Sequence, residues 1–508
     1  MRKWWPLVAI CLGTFMLLVD VTIVNVALPE ISRALRPSMA ALQWVVDAYA
    51  LALAALLLTA GACADFFGRR RMYLVGLAVF AGASLLCGLA PGPAVLIAGR
   101  AVQGVGGAVM FATTTALLAS VYAGRDRAVA FSVWGAVSGS ATAAGPVLGG
   151  LLSQHWGWPA VFLVNLPVAA ATVLLVRKVL PEHDGGQGPE RRRFDVAGAV
   201  TFTVAAGAVV AGLIAGSAAL IGTGLLALAA FVGVEVRSPQ PMLNLRLFRR
   251  PAFTGLMLAA LVLQGAAFAH LGYTSLWLQT VLGLPPLAAG LVLTPLSLAG
   301  LLTSSLAGRR LQGVPARFPV SAGLLLIGTG VLSQALIRPD SGWTVLLGGL
   351  IVTGLGAGAM TPPLTSAALA SVPAAEAGTA SGAVNTFRQL GQAIGVAVLG
   401  TAFVRAATTH LHGAAAQPHG VAEKLGGGQG DRVLAEAAPH DRPALADAVH
   451  AAFAHGLQAV FLAAGLSALV AGVATWFLLK PREPREGVRG VAAGAARTEP
   501  SAADHVPA

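Results

Sequence analysis

The stretch GACADFFGRRR, residues 61–71, joins two apolar runs at about 43–63 and 72–90, and it decides the fold. Each run is close to the roughly 20 residues that an α-helix needs to cross the hydrocarbon core of a bilayer. Consecutive arginines close the stretch, and short loops rich in Lys and Arg are typical of the cytoplasmic side of a membrane. The stretch therefore predicts two antiparallel membrane helices joined by a short basic loop.

Charge bias does not account for the other spaced residues of this loop. Gly61 permits a close approach of helices, and Gly68 permits a tight turn. Asp65 is placed to pair with Arg69 or to cap a helix end. A basic loop alone does not need this spacing of Gly61, Asp65, Gly68, Arg69 and Arg70, which therefore indicates a further role for these residues.

The composition of the whole chain also indicates a membrane protein. Of its 508 residues, 56% are apolar and only 11% are charged, whereas a soluble domain carries about 25% charged residues. The net charge of +12 comes from Lys and Arg in short loops, which argues against a nucleic-acid binder. The sequence has no P-loop, so ATP is not the expected energy source, and its three cysteines form no CxxC pair or metal motif.

Apolar runs of spanning length recur along the chain and predict fourteen membrane helices. The least distinct pair is separated only by Gly216 and Ser217. The runs lie at about 6–28, 43–63, 72–90, 94–120, 128–152, 160–179, 196–216, 218–236, 252–281, 287–307, 319–337, 343–370, 379–404 and 452–479.

The distribution of basic residues predicts the topology. Of the 33 Lys and Arg, 24 fall on the side that carries the amino terminus and seven on the opposite side, while Arg100 and Arg388 lie within apolar runs. This bias places both termini in the cytoplasm, which requires an even number of spans.

A repeat with an offset of 250 residues predicts two related halves. GVGGAVM at 104–110 resembles GLGAGAM at 354–360, and GPVLGG at 145–150 aligns with GVAVLG at 395–400. Paired helical bundles around a midplane site are typical of transporters. The predicted domains are a six-helix bundle (1–180), two linker helices (181–250), a second six-helix bundle (251–480) and a disordered cytoplasmic tail (481–508).

Several motifs together resemble the fourteen-helix drug:proton antiporter branch of the major facilitator superfamily. The loop at 61–71 is similar to the signature loop of that superfamily, and the resemblance implies that Gly61, Asp65, Gly68, Arg69 and Arg70 form a gating loop. The resemblance covers most of residues 6–480, but the equivalent loop of the second half, LAGRR at 306–310, lacks the acidic residue. The other motifs are LVDVTIVNVALP at 18–29, QWVVDAY at 43–49, RAVQG at 100–104, GPVLGG at 145–150, WGW at 156–158, NLP at 165–167 and FDVAG at 194–198.

The resemblance implies an all-α membrane protein that exports amphiphilic drugs or antibiotics in exchange for protons, by alternating access. It implies a multi-pass protein of the cytoplasmic membrane with a small-molecule substrate, the proton gradient as its energy source and no cofactor or metal. A monomer without enzymatic activity or nucleic-acid partner is expected. The alternatives are a dedicated exporter of one metabolite, uptake by symport, and a membrane sensor that has kept the fold without transport.

Ionisable groups inside a bilayer are costly, and they are therefore candidates for proton coupling. Asp20, Asp47 and Arg100 all fall in the outer half of the predicted helices. Asp20 is the expected main proton carrier and Asp47 a second titrating site, with Arg100 adjusting either one. The alternatives are a structural ion pair for Asp20 and an interfacial position at the start of a helix for Asp47.

Further polar and small residues complete the candidate site. Gly145, Pro146, Gly149 and Gly150 correspond to the antiporter motif of helix 5, where either a hinge or a tight packing seam is possible. Arg388 is expected either to bind an anionic substrate group or to brace the bundle, and the other polar groups either line the cavity or satisfy backbone groups. The cavity candidates are Asn25, Gln103, Gln264, His270, Gln279, Asn385, Arg388 and Gln389.

The long segment 405–450 is predicted to be an extracytoplasmic loop. Five histidines fall within it, but their spacing matches no standard metal site. A solvated, flexible loop is therefore expected.

Overall fold

The computed structural model is helical throughout the part of the chain that it describes. It describes residues 2–122, 124–180, 195–239, 241, 243–311, 314–372, 377–412, 417–436 and 442–480, and no strand occurs among them. The tail predicted to be disordered, 481–508, and the start of the predicted linker, 181–194, lie outside these residues.

The helices follow one another with short connections. Their bounds are α1 Trp5–Leu35, α2 Met39–Phe67, α3 Arg69–Gly88, α4 Pro93–Val121, α5 Gly124–Trp156, α6 Ala160–Leu163, α7 Asn165–Val179, α8 Val196–Ala215, α9 Ala218–Arg237, α10 Pro251–Ala267, α11 Leu271–Leu276, α12 Pro286–Arg310, α13 Arg317–Gln334, α14 Val345–Ala370, α15 Ala377–Leu411, α16 Pro418–Gly426, α17 Gly430–Glu436 and α18 Arg442–Leu478. A 3-10 turn at Leu245–Arg249 precedes α10, and a π-helical turn at Trp277–Val281 continues α11.

Each of the fourteen apolar runs predicted from the sequence is helical. Twelve of the helices in the described residues are long and apolar enough to cross a membrane by length and composition. The other two are α5, which is interrupted by polar residues, and the 18-residue α13, which carries Arg317 and Gln334 at its ends. The number fourteen therefore stays a prediction, whereas the all-helical membrane fold is confirmed.

Local sequence explains where several helices begin and end. Proline occupies the first position of α4, α10 and α12, where its missing N–H costs nothing. The indistinct pair of runs is divided as expected: Gly216, with φ of +63°, ends α8, and the Ser217 side chain accepts a hydrogen bond from the Leu220 N–H at the start of α9.

The helices pack in two groups with α8 and α9 beside them. In the first group α4 packs against α2 and α3, and α1 packs against α5 and α7; in the second, α14 packs against α12 and α13, and α18 against α13 and α15. The groups meet where α5 contacts α12 and where α2 contacts α15, and α8 touches both α2 and α15. The domain boundaries drawn from the sequence stay predictions.

Alternating helix directions give the molecule two ends. We call the end that carries α16 and α17 the cap end, and the end that carries Arg69–Arg71 the arginine end.

The expectation of a flexible loop over 405–450 is wrong for its described part. Helix α15 continues to Leu411, α18 begins at Arg442, and α16 and α17 fold between them around the buried Ala422 and Leu425.

Candidate functional site

A charged pair lies inside the first group of helices. Arg100 Nη1 on α4 is 2.6 Å from Asp20 Oδ2 on α1, and the two side chains are 1% and 0% exposed. A buried pair is tolerated only when the remaining donors and acceptors are satisfied as well. The surroundings of these two residues therefore decide whether the pair can persist.

Polar side chains from other helices complete the coordination of Asp20. Its Oδ1 atom accepts hydrogen bonds from Gln103 Nε2 at 2.8 Å and from Asn165 Nδ2 at 2.9 Å. Both amides also donate to Ser84 Oγ, at 2.9 and 3.2 Å. Among the described residues, the Asp20 carboxylate thus has three side-chain donors, contributed by α4 and α7.

The Arg100 guanidinium has several further partners besides Asp20. Its Nη1 also donates to Gln103 Oε1 at 2.7 Å, and its Nε donates to the Val45 carbonyl of α2 at 3.0 Å. The ring of Tyr49 lies 4.3 Å from the guanidinium carbon, a distance suited to a cation–π contact. We name Asp20, Ser84, Arg100, Gln103 and Asn165 the charge network.

Asp47 lies outside this network. It is 0% exposed and sits two turns into α2, which begins at Met39, rather than at an exposed start of the helix. Neither of its carboxylate oxygens has a hydrogen-bond partner among the described residues. Arg100 pairs with Asp20 and makes no ion pair with Asp47 in the described structure.

Asp47 lies beside a contact between the two helix groups. One turn earlier on α2, Gln43 Nε2 donates to Tyr273 Oη at 3.0 Å and to the Val396 carbonyl of α15 at 3.3 Å. Tyr273 Oη also donates to the Val396 carbonyl. This polar contact therefore joins the two helix groups one turn away from Asp47.

The glycines of α5 form a packing seam. A side chain at Gly145 would collide with Thr22, and one at Gly149 would meet Ile23, both on α1. Gly150 faces the backbone of Leu287 on α12. Since α5 also continues without a break through Pro146, this conformation shows the seam rather than a hinge.

The gating loop is described in part. Gly68 has φ of +94°, a backbone region that favours glycine, so the tight turn predicted there is confirmed. Arg69 Nη1 donates to the Ala116 carbonyl at 3.3 Å, and Arg70 Nη2 to the Arg177 carbonyl at 3.1 Å. Details of Gly61 and the Asp65 side chain lie outside the described part of the structure, and their pairing stays a prediction.

The remaining cavity candidates separate into three places. Asn25 and Gln279 lie toward the cap end, where Gln279 Nε2 donates to the Val26 carbonyl at 2.9 Å. His270 has no exposed surface and packs edge-to-face against Phe461. Asn385, Arg388 and Gln389 lie on α15, where Arg388 faces Gln264 of α10.

Segment 417–436 closes the cap end across both groups. Ser32 of α1 donates a hydrogen bond to the Gly427 carbonyl, and Gln429 donates to the Pro37 carbonyl. A side chain at Gly428, which has φ of +73°, would collide with Leu276 of α11. Contacts with α1 and α11 at once tie the two groups together at this end.

An ion-pair cluster holds the segment in shape. Glu436 accepts from Lys424 Nζ and from Arg432 Nε, each at 2.7 Å. The side-chain hydrogen bonds from Lys424 and Arg432 lower the pKa of Glu436 below its ordinary value. Within the described residues, no group of three or more His, Cys, Asp or Glu could hold a metal ion.

Sequence reasoning missed several members of these sites. Asn165 and Gln43 belong to motifs that were quoted, NLP and QWVVDAY, and an amide inside an apolar run was a usable signal. Ser84 and Tyr273 carry no such signal, because hydroxyl groups are common in membrane helices and usually bond to their own backbone.

Solved structures show which fold the chain has. A bacterial homologue of the human lysosomal transporter Spinster, in an inward-facing and unoccupied conformation, is 17% identical and matches with a TM-score of 0.68 over 94% of this chain and 97% of its own. The peptide transporter POT in complex with sulfate, also 17% identical, gives a TM-score of 0.63 over 93% of each chain. The chain thus shares the all-helical, multi-pass fold of these two proteins.

Sequence relatives then define the family. The Major Facilitator Superfamily model matches residues 10–396. The multidrug efflux pump LfrA of Mycolicibacterium smegmatis is 34% identical over 92% of this chain and 95% of its own length. The tetracenomycin C resistance and export protein of Streptomyces glaucescens is 31% identical over 96% and 93%, and the multidrug resistance protein Stp of Mycobacterium tuberculosis is 37% identical over 78% and 75%. The chain belongs to the major facilitator superfamily.

Proposed function

We propose that this protein exports amphiphilic drugs or antibiotics from the cytoplasm in exchange for protons. The observation that carries the proposal is the charge network, because an ion pair inside a membrane protein is costly and marks a functional site. The names of the relatives, which are efflux pumps and resistance proteins, support drugs as the substrate class.

Both termini are proposed to lie in the cytoplasm, with the protein in the cytoplasmic membrane. The excess of Lys and Arg on the side of Arg69–Arg71 supports this orientation. The cap end then faces outward, and the contacts of 417–436 close it. Such a conformation is one of the two states that alternating access requires.

We propose that the two buried acids, Asp20 and Asp47, have different roles in proton coupling. Asp20 accepts three hydrogen bonds, one of them from its ion-pair partner Arg100, and such an arrangement suits a carboxylate anion. Asp47 has no hydrogen-bond partner among the described residues, which suits a neutral carboxyl group. Groups whose environments favour opposite protonation states are a common basis for proton transfer. Opening of the cap end would hydrate Asp47, and separation of Asp20 from Arg100 would let Asp20 bind a proton.

Transport in everted membrane vesicles from a pump-deficient host tests this function. Energised vesicles carrying the wild type are expected to accumulate the dye Hoechst 33342, and Asp20→Asn is expected to reduce uptake to that of vesicles without the protein. Asp340→Asn, which alters an exposed acid, is the matched control and is expected to behave as the wild type.

Two outcomes would contradict the proposal. Full proton-driven uptake by Asp20→Asn would remove Asp20 from the coupling mechanism. No transport of any compound in a broad panel of drugs by the wild type would favour a metabolite exporter or a sensor.

A further inference from the structure

A polar stripe runs along one face of α15. Asn385, Arg388, Gln389 and Gln392 are spaced as positions i, i+3, i+4 and i+7, so they share one side of the helix. Arg388 lies eleven residues after the start of α15, or about 16 Å along its axis. A charged stripe at that depth has to face protein or a water-filled cavity, because lipid would not solvate it.

The positive charge of Arg388 is poorly compensated at that depth. Its Nη2 donates to Gln264 Oε1 of α10 at 3.4 Å, which is a long hydrogen bond, and its buried Nε has no partner in the part of the chain that the structure describes. No carboxylate among the described residues lies within ion-pair distance of it. Arg100, by contrast, has Asp20 at 2.6 Å, so the two intramembrane arginines are held in opposite ways.

The groups around Arg388 are neutral amides with unused capacity. Gln264 Nε2 donates to Gln392 Oε1 at 3.4 Å, and Gln389 Oε1 has no partner in the described structure. Amides can rotate to donate N–H groups to an incoming oxygen. A guanidinium with free donors binds a carboxylate through two parallel hydrogen bonds.

We propose that Arg388, with Gln264, Gln389 and Gln392, binds the carboxylate of an acidic amphiphilic substrate. The inference rests on the proposed export function and names the substrate class within it. The anionic group of the substrate supplies the missing counter-charge. The neutral form of the same molecule leaves the guanidinium uncompensated and binds more weakly.

Direct binding to the full-length protein in lipid nanodiscs tests the proposal without using transport. The probes are the fluorescent acid pyrenebutyrate and its methyl ester, which differ only in the charged group. The wild type is expected to bind the acid at least about tenfold more tightly than the ester, in keeping with a charge-assisted hydrogen-bonded pair. Arg388→Gln is expected to remove this preference while ester binding is kept.

Matched variants separate a binding role from a bracing role. Arg405→Gln removes an exposed arginine from the same helix and is expected to leave the preference intact. Arg388→Lys keeps the charge but loses the two-pronged geometry, and it is expected to weaken acid binding by several-fold. If Arg388→Gln also loses ester binding, that variant cannot separate a binding role from a bracing role. Arg388→Lys then separates them, because unchanged acid binding in Arg388→Lys would overturn the proposal.

Two results would directly overturn the inference: equal binding of acid and ester by the wild type, or an unchanged preference for the acid in Arg388→Gln. A third is loss of the preference when anionic phosphatidylglycerol replaces zwitterionic lipid, because that result would assign the site to a lipid phosphate. Export of Hoechst 33342 without a preference for the acid would overturn this inference alone. Preferential binding without any export would contradict the proposed function alone.

Discussion

Asp20 and Asp47 are both fully buried, but their side chains have opposite surroundings. Asp20 is held by Arg100, Gln103 and Asn165, whereas Asp47 has no hydrogen-bond partner in the described residues. Burial of an ionised carboxylate without a partner is expensive. Under the proposed coupling, the closed cap end holds a neutral Asp47, and ionisation of that residue is expected to favour opening.

Replacement of Asp47 by Asn tests this coupling at the level of one residue. With Asp47 in place, labelling of Ser32→Cys by a membrane-impermeant maleimide is expected to decrease as the external pH is lowered, when it is expressed relative to labelling of the denatured protein at the same pH, which corrects for the reactivity of the thiol itself. The reason is that protonation of Asp47 removes the cost of closing the cap end. Asp47→Asn is expected to give low labelling at every pH, because its amide cannot ionise.

The control for this experiment is Asp340→Asn, which changes an exposed acid at the same end. It is expected to keep the pH dependence of the wild type. If Asp47→Asn also kept that dependence, Asp47 would be an ordinary buried residue of the helix interface.

At the scale of the helices, the seam along α5 explains why small residues recur in a long membrane helix. Gly145 and Gly149 let α5 pack directly on α1, and Gly150 lets the same helix contact α12. One helix thus belongs to both interfaces, within a group and between groups. Close backbone packing of this kind is the usual way in which membrane helices associate.

A valine at Gly145 tests the seam. Gly145→Val is expected to lower the free energy of unfolding in detergent by about 1–3 kcal/mol, the usual cost of an overpacked core, because its side chain collides with Thr22. Gly135→Val on the same helix is the matched control, since a side chain there meets nothing within 4 Å. An equal free energy of unfolding for the two variants would show that the helices at the seam adjust to the larger side chain without loss of stability.

At the scale of the whole molecule, the segment 417–436 connects parts that are far apart in the sequence. It is joined to α15 and α18 by the chain, but it contacts α1 through Ser32 and α11 through Leu276. An outward-open state cannot keep both contacts if the groups separate at this end. The cap is therefore expected to release during each transport cycle.

A disulfide between the cap and α1 tests this motion. The double variant Ser32→Cys and Gly427→Cys, once oxidised, is expected to lose export and to regain it after reduction, because the cross-link holds the cap end closed. Each single variant is expected to be insensitive to oxidant. Full export by the cross-linked protein, verified by a mass shift, would mean that the cap stays in place while the groups move.

Sequence by itself determined the membrane fold and the individual candidates for the site. Apolar runs predict helices because only a helix satisfies its backbone hydrogen bonds inside lipid, and a charged residue within such a run is conspicuous. The turn at Gly68 and the break at Gly216 could also be predicted, because each needs a backbone conformation that favours glycine.

Only the tertiary structure decided how the charges are paired. Asp20 and Arg100 are 80 residues apart, Asp20 and Asn165 are 145 apart, and their contacts depend on how α1, α4 and α7 pack. The same packing left Asp47 and Arg388 without ionic partners in the described structure and folded 417–436 onto α1. Hydrophobicity is a property of each residue and can be read directly from the sequence. The compensation of a charge, by contrast, depends on neighbours that the chain brings together only when it folds.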